Sequence, residues 1–131
     1  MITFGMASLE EIYQINQFAE KMGETPYPFS GLYMVCREAG ELAGYCVIRV
    51  HSAYAELIDA ILLKEDKDDA LKIVLIKSAL NAIDLAGTKN VVCKNSKMKD
   101  ILEKLEFTRN EQNDYILNLE GYFKPCSCKK K

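Results

Sequence analysis

Charged side chains are concentrated in one short turn, Lys64–Asp69, which carries four carboxylates and two lysines but no glycine. The turn follows an apolar strand that starts near Glu56 and leads into an almost wholly apolar helix that ends at Gly87. A helix start of this kind presents backbone N–H groups and is a common place for a phosphate. The carboxylates would repel a phosphate and the lysines would offset part of that repulsion. A phosphate site and a solvated, acid-capped helix start therefore both remain open.

The cysteine thiols are the second group of side chains that could act chemically, as nucleophiles, disulfides or metal ligands. Cys93 lies in a short apolar strand, where it could act as a nucleophile or serve as a small apolar residue of the core. The odd total of five cysteines argues against a disulfide framework. Cys126 and Cys128 supply two thiols, which do not complete a zinc site, and the single histidine, His51, lies in a predicted turn where we expect a surface role. We therefore predict no metal site.

Length and composition are those of one soluble globular domain. We expect this domain over residues 1–123 and a flexible basic Cys-x-Cys tail over residues 124–131. The net charge of −2 gives no basic surface that would indicate nucleic acid as a partner. No apolar run approaches the roughly 20 residues that cross a bilayer, and the N-terminus lacks a secretory signal. These features favour the cytoplasm and predict no membrane contact.

Apolar spacing indicates the elements of the first half. A short strand at residues 2–4 precedes a helix that begins with a Ser8–Glu11 capping box and ends at Gly23. Segment 24–31 contains two prolines and is predicted to be a loop, whose aromatic residues could line a pocket or pin the loop to the core. Three antiparallel strands follow, at residues 32–37, 42–50 and 54–63.

The second half is predicted as helix, strand, helix and a final pair of strands. The first helix spans residues 68–86, with its acidic first turn at the positive end of the helix dipole. Because this helix is a crossover, the next strand, 90–93, is expected to run parallel to strand 54–63. The remaining elements are a helix at 97–105, capped by Asn95 and Ser96, and strands at 107–109 and 115–119.

Two segments, and the order of the elements, resemble the GNAT superfamily of N-acetyltransferases. Gly40–Tyr45 is similar to the family's G-E-φ-φ-G-aromatic hairpin. Asn95–Phe107 is similar to its N-x-x-A-x-x-x-Y-E-K-L-G-F segment. The resemblance covers about residues 2–120. It implies an α+β (α/β) GNAT-like fold, with a mixed twisted sheet of about six or seven strands flanked by three or four helices.

The resemblance also implies acetyl-CoA as cofactor. In the family, the third strand of the meander leads into R/Q-x-x-G-x-G/A at a helix start, where backbone N–H groups bind the pyrophosphate. Lys67–Lys72 occupies these six positions without the glycines, so the implied pyrophosphate loop is degenerate. The residues implied to bind the cofactor are Leu62, Lys67, Asp68, Asp69, Ala70, Leu71, Lys72 and Asn95.

A catalytic position is also implied by the resemblance. Glu56 lies eleven residues before Lys67 and matches a glutamate that some family members use as general base. Strand alternation places Glu56, Ile58, Ala60 and Leu62 on one face, with Asp59 on the other. In contrast, Leu102 stands where the family has a tyrosine that protonates the departing thiolate, and Glu106 replaces a glycine at a bend.

Two hypotheses of function follow. The first is an acyl-CoA-dependent N-acetyltransferase that acts on a small-molecule or peptide amine, with acceptor specificity set by segment 24–31. The second is a non-catalytic GNAT-like binding module that has lost acetyl-CoA turnover, which fits the acidic turn and Leu102. Either a monomer or a homodimer is consistent with the sequence.

Overall fold

The computed structural model describes residues 2–23, 31–63 and 69–123, and within them seven strands form one mixed sheet in the order β1-β2-β3-β4-β5-β7-β6. The strands are β1 Ile2–Met6, β2 Leu32–Glu38, β3 Glu41–Val50, β4 Ala55–Leu62, β5 Asn90–Cys93, β6 Thr108–Arg109 and β7 Tyr115–Asn118. The helices are α1 Leu9–Lys21, α2 Ala70–Leu85 and α3 Lys99–Lys104, with a 3₁₀ turn at Ser96–Met98 before α3. The predicted fold class is confirmed. The residues outside these ranges include residues 24–30 of the predicted loop 24–31, Lys67 and Asp68 of the predicted cofactor set, and tail 124–131.

The sheet separates two apolar cores. Helices α2 and α3 pack on one face, in a large cluster that includes Leu57, Leu75 and Leu102. Helix α1 packs on the other face, in a smaller cluster around Ile15 and Tyr45. None of the described helices is long and apolar enough to span a membrane. The two faces will be called the α2 face and the α1 face.

Helix α1 is fixed at its N-terminus by the predicted capping box. Ser8 Oγ accepts from Glu11 N at 3.1 Å, and Ser8 N donates to Glu11 Oε1 at 2.9 Å. Arg37 on β2 donates from Nε and Nη2 to both carboxylate oxygens of Glu11, at 2.7 Å each. This bidentate contact is the main cause that lowers the pKa of Glu11, and it ties α1 to the sheet.

A bulge in β4 changes which side chains share a face. Val47 of β3 lies opposite Asp59, but the next residue, Ile48, lies opposite Leu57, so Ile58 is an extra residue in the ladder. Ala55, Leu57, Ala60 and Leu62 all pack on the α2 face, whereas Ile58, Ile61 and Leu63 pack on the α1 face. The prediction that Glu56, Ile58, Ala60 and Leu62 share one face was therefore wrong, because the bulge shifts the alternation by one residue.

The second glycine of the hairpin motif is explained by packing between β3 and β4. A Cβ on Gly44 would lie 2.7 Å from Leu62 Cδ2 and 2.9 Å from the Ile61 carbonyl oxygen. Both distances are shorter than a normal contact, so a side chain would force the strands apart. This glycine therefore serves the sheet rather than a ligand.

Helix α2 begins later than predicted. Its first residue is Ala70 rather than Asp68, because Asp69 has left-handed backbone angles (φ 55°, ψ −1°) that cannot continue a helix. Asp69 makes no side-chain cap hydrogen bond, and the first turn of α2 contains no acidic residue. The prediction of an acidic first turn on this helix was therefore wrong.

Glu106 makes the bend for which the family uses glycine, with φ 73°. A left-handed backbone costs a residue with a Cβ about 1 kcal/mol or more, whereas glycine adopts it freely. Glu106→Gly is expected to raise the free energy of unfolding by about 0.5–1 kcal/mol in urea denaturation. The control Gln17→Gly, at an exposed position in α1, should lower it by about 1 kcal/mol. A loss of stability in both variants would contradict the assignment of strain to Glu106.

Candidate functional site

The most informative feature of the sheet is the point at which its two parallel strands separate. The ladder between β4 and β5 contains three pairs and ends at Leu57 and Cys93, whereas the ladder between β3 and β4 continues to Leu62. Beyond Leu57, β4 and β5 are therefore apart. An extended ligand with amide groups could pair with the separated edge of β4 as an added strand would.

Asn95 spans this opening. Its Nδ2 donates to the Ile58 carbonyl oxygen at 3.3 Å, and its Oδ1 accepts from Lys97 N at 3.1 Å. Asn95 therefore caps the 3₁₀ turn Ser96–Met98, whereas helix α3 begins at Lys99, two residues later than predicted, without a side-chain cap. The side chain thus connects the residues after β5 to the bulge of β4. A ligand that enters the opening would contact the Asn95 amide at the point where β4 and β5 begin to separate.

Glu56 lies in the last part of β4 that is still paired with β5, opposite Val92. It stands between Ala55 and Leu57, which pack on the α2 face, so its side chain points to the α1 face. The carboxylate is 24% exposed. Glu56 is two residues before the bulge, or about 7 Å along the strand from the opening.

Glu56 has a partner that sequence reasoning missed. His51 Nε2 lies 3.3 Å from Glu56 Oε1, and the imidazole is 31% exposed. Both residues flank the β3–β4 turn, where Arg49 lies opposite Glu56. His51 is therefore a diagonal neighbour of Glu56, and the register of this hairpin was the signal that could have revealed the contact.

Cys93 ends β5 on the α2 face and is completely buried. Burial raises the pKa of its thiol to about 11, and the carboxylates of Glu56 and Asp59 contribute to the rise. A nucleophilic cysteine needs the thiolate, and at neutral pH this thiol is protonated. The surroundings of Cys93 thus favour the core role over the nucleophilic one.

The start of α2 holds the described part of the predicted pyrophosphate loop. Asp69 Oδ2 lies 3.3 Å from Lys104 Nζ of α3, a cation from the Asn95–Phe107 segment. Ala70 is exposed, while Leu71 and Lys72 are half-buried and Leu71 packs against the core. One carboxylate at the helix start is therefore already neutralised in part by a lysine distant in sequence.

Leu102 lies where the family has its proton-donating tyrosine. The side chain is completely buried in the core between α3 and the sheet. A leucine side chain has no proton to donate, so it cannot fill the acid role that the resemblance implies for this position.

A groove of about 770 Å³ lies on the α1 face, between α1 and the β2–β3 turn. Its walls include Gln14, Phe18, Glu41, Tyr45 and Leu63, and none of the predicted site residues is among them. Leu63 stands seven residues beyond Glu56, or about 23 Å along an extended strand. The groove thus lies beyond the other end of β4 from Glu56.

Comparison with known proteins was made by sequence and by structure. No protein-family model matches the chain, and no curated protein matches it in sequence. Solved structures do match. An acetyltransferase of the GNAT family from Staphylococcus aureus Mu50 has a TM-score of 0.72 at 8% identity, with 91% of this chain and 99% of that chain covered.

Two further solved structures contain the cofactor. YncA from Salmonella typhimurium, with its cofactor acetyl-CoA, has a TM-score of 0.71 at 13% identity, with 97% and 99% of the two chains covered. The PaiA N-acetyltransferase from Thermoplasma acidophilum, with coenzyme A, has a TM-score of 0.66 at 12% identity, with 89% and 97% covered. At these identities, the likeness is one of fold.

Proposed function

The chain has the GNAT fold, and from this premise we propose that it is an acyl-CoA-dependent N-acetyltransferase with a divergent cofactor site. The observation that carries the proposal is the separation of β4 from β5 immediately after Glu56 and Leu57. The separation exposes a strand edge for the cofactor, and the partly exposed carboxylate of Glu56 lies about 7 Å along β4 from it. A fold alone would not be enough, since one fold supports many functions.

The described residues fit the pantetheine arm of acetyl-CoA better than its pyrophosphate. The pantetheine arm contains amides that can pair with the edge of β4 beyond Leu57, next to Asn95. The pyrophosphate would lie at the start of α2, where Asp69 opposes it and Lys104 partly cancels that charge. We therefore expect binding that is weaker than a glycine-rich loop would give. When bound, the cofactor supplies a thioester whose acyl group can pass to an amine.

The chain's own residues have distinct roles in this proposal. Glu56 accepts the proton of the acceptor amine, directly or through one water. Asn95 orients the ligand at the bulge. Because Leu102 supplies no proton, solvent is the proton source for the leaving thiol.

A second function is favoured by two observations. Asp69 places a carboxylate where the pyrophosphate would bind, and Leu102 is a packed apolar residue in place of an acid. A non-catalytic module that binds a small ligand or a peptide in the same opening would need neither an anion site nor an acid.

Titration calorimetry with acetyl-CoA and with CoA tests the proposal. We expect both ligands to bind in the micromolar range. Release of free thiol in the presence of an amine panel then separates the two functions. Absence of heat at millimolar acetyl-CoA would rule out the enzyme, whereas tight binding without turnover would favour the module.

A further inference from the structure

We propose that His51 is a positioning residue that holds the carboxylate of Glu56 in place beside the opening between β4 and β5. The inference rests on the proposed function, because it assigns a partner to the proposed general base. Nothing in the family resemblance points to His51, which is the only histidine of the chain.

Three contacts fix the imidazole of His51 within the β3–β4 turn. Its ring stacks on the ring of Tyr54, with centroids 4.4 Å apart and planes 22° apart. Its backbone N–H donates to the Tyr54 carbonyl oxygen at 2.8 Å, which closes the turn. Its Nε2 lies 3.3 Å from Glu56 Oε1. The ring is thus held by backbone and stacking contacts that do not depend on Glu56.

A fixed partner matters for Glu56 because of where its side chain lies. The carboxylate is partly exposed on the α1 face, and a glutamate has three side-chain torsions through which to move. A misplacement of about 1 Å at a reacting group can cost a large factor in rate. The hydrogen bond from His51 restricts these torsions. It holds Oε1 at the β3–β4 turn.

The kinetic test uses two substitutions of His51. His51→Phe keeps an aromatic ring to stack on Tyr54 but removes the hydrogen bond. His51→Gln supplies an amide N–H at about the position of Nε2. We expect His51→Phe to lower kcat about tenfold with the KM for acetyl-CoA unchanged, and His51→Gln to recover most of that loss. Ser52→Ala, at an exposed position of the same turn, is the control and should behave as the wild type.

The outcomes separate this inference from the proposed function. A purely structural role would reduce stability in both His51 variants without rescue by glutamine, and equal losses in the two would overturn the inference. Full activity in His51→Phe would also overturn it while leaving the enzyme proposal intact. Wild-type protein that binds acetyl-CoA but turns over no amine and hydrolyses no thioester would overturn both.

A second measurement needs no activity. Because the chain has one histidine, a long-range ¹H–¹⁵N spectrum shows one imidazole, and its ring nitrogen shifts report the contact directly. Glu56→Gln is expected to move the Nε2 resonance, whereas Glu20→Gln, on the exposed side of α1, is expected to leave it unchanged. Identical spectra for the wild type and Glu56→Gln would contradict the contact itself.

Discussion

Replacing Glu56 by glutamine is expected to lower kcat for acetyl transfer by about 10²- to 10³-fold, with little change in the KM for acetyl-CoA. Glutamine has nearly the same shape as glutamate and can keep a hydrogen bond to His51, but it cannot accept the proton of an amine. The effect should therefore fall on the chemical step rather than on binding. The measurement is thiol release at saturating acetyl-CoA and acceptor.

Two controls make this result interpretable. Glu20→Gln removes an exposed carboxylate from α1 and should leave kcat unchanged. Calorimetry with CoA should give the same affinity for Glu56→Gln as for the wild type, because Glu56 lies in the paired part of β4 rather than along its separated edge. Wild-type turnover in Glu56→Gln would show that water, or another group, takes the amine proton.

Replacing Asp69 by asparagine is expected to tighten CoA binding by about 10- to 100-fold, since two like charges a few ångströms apart cost about 1–4 kcal/mol depending on screening. Asparagine adopts left-handed backbone angles readily, so the bend before α2 is kept and only the charge is removed. The substitution also releases Lys104, whose Nζ lies 3.3 Å from the Asp69 carboxylate, to face the phosphates. Calorimetry at low and high salt should show a gain that shrinks as salt rises.

The calorimetry on Asp69→Asn needs a control variant that has the same net charge as Asp69→Asn. Asp100→Asn removes an exposed carboxylate from α3 and should not change the affinity for CoA. Lys104→Ala should weaken binding, because Asp69 then loses the cation that neutralises it. If Asp69→Asn and Asp100→Asn gave the same affinity, the pyrophosphate site would lie elsewhere.

Most of the fold was accessible from the sequence because its signals are local. Apolar spacing and turn residues predicted the strand meander, the crossover helix and the parallel strand 90–93, and the structure confirms their order. The Asn95–Phe107 segment carried the resemblance, and Asn95 indeed caps the turn that follows β5. Glu106 stands at the glycine position of that segment, and it adopts the left-handed bend that this position requires.

One error in the candidate site arose where strand pairing overrides the local pattern, and another arose where the backbone conformation does. Strict alternation placed Glu56 and Ala60 on one face, but the bulge at Ile58 exists only because β4 pairs with β3 in a shifted register. The carboxylate at Asp69 suggested an acidic helix turn, yet its backbone turns left-handed just before α2 begins.

The sequence by itself determined the fold and the identity of the candidate residues, because hydrophobic periodicity and motif spacing are properties of contiguous segments. Tertiary structure alone decided how those residues meet. Asp69 and Lys104 are 35 residues apart and come together through the packing of α2 and α3 on one face of the sheet. Glu56 gained His51 as a partner because a tight turn, closed by the His51–Tyr54 backbone hydrogen bond, folds the two side chains together. The first contact depends on the packing of separate elements, and the second depends on the exact register of one hairpin, which hydrophobic periodicity alone does not specify.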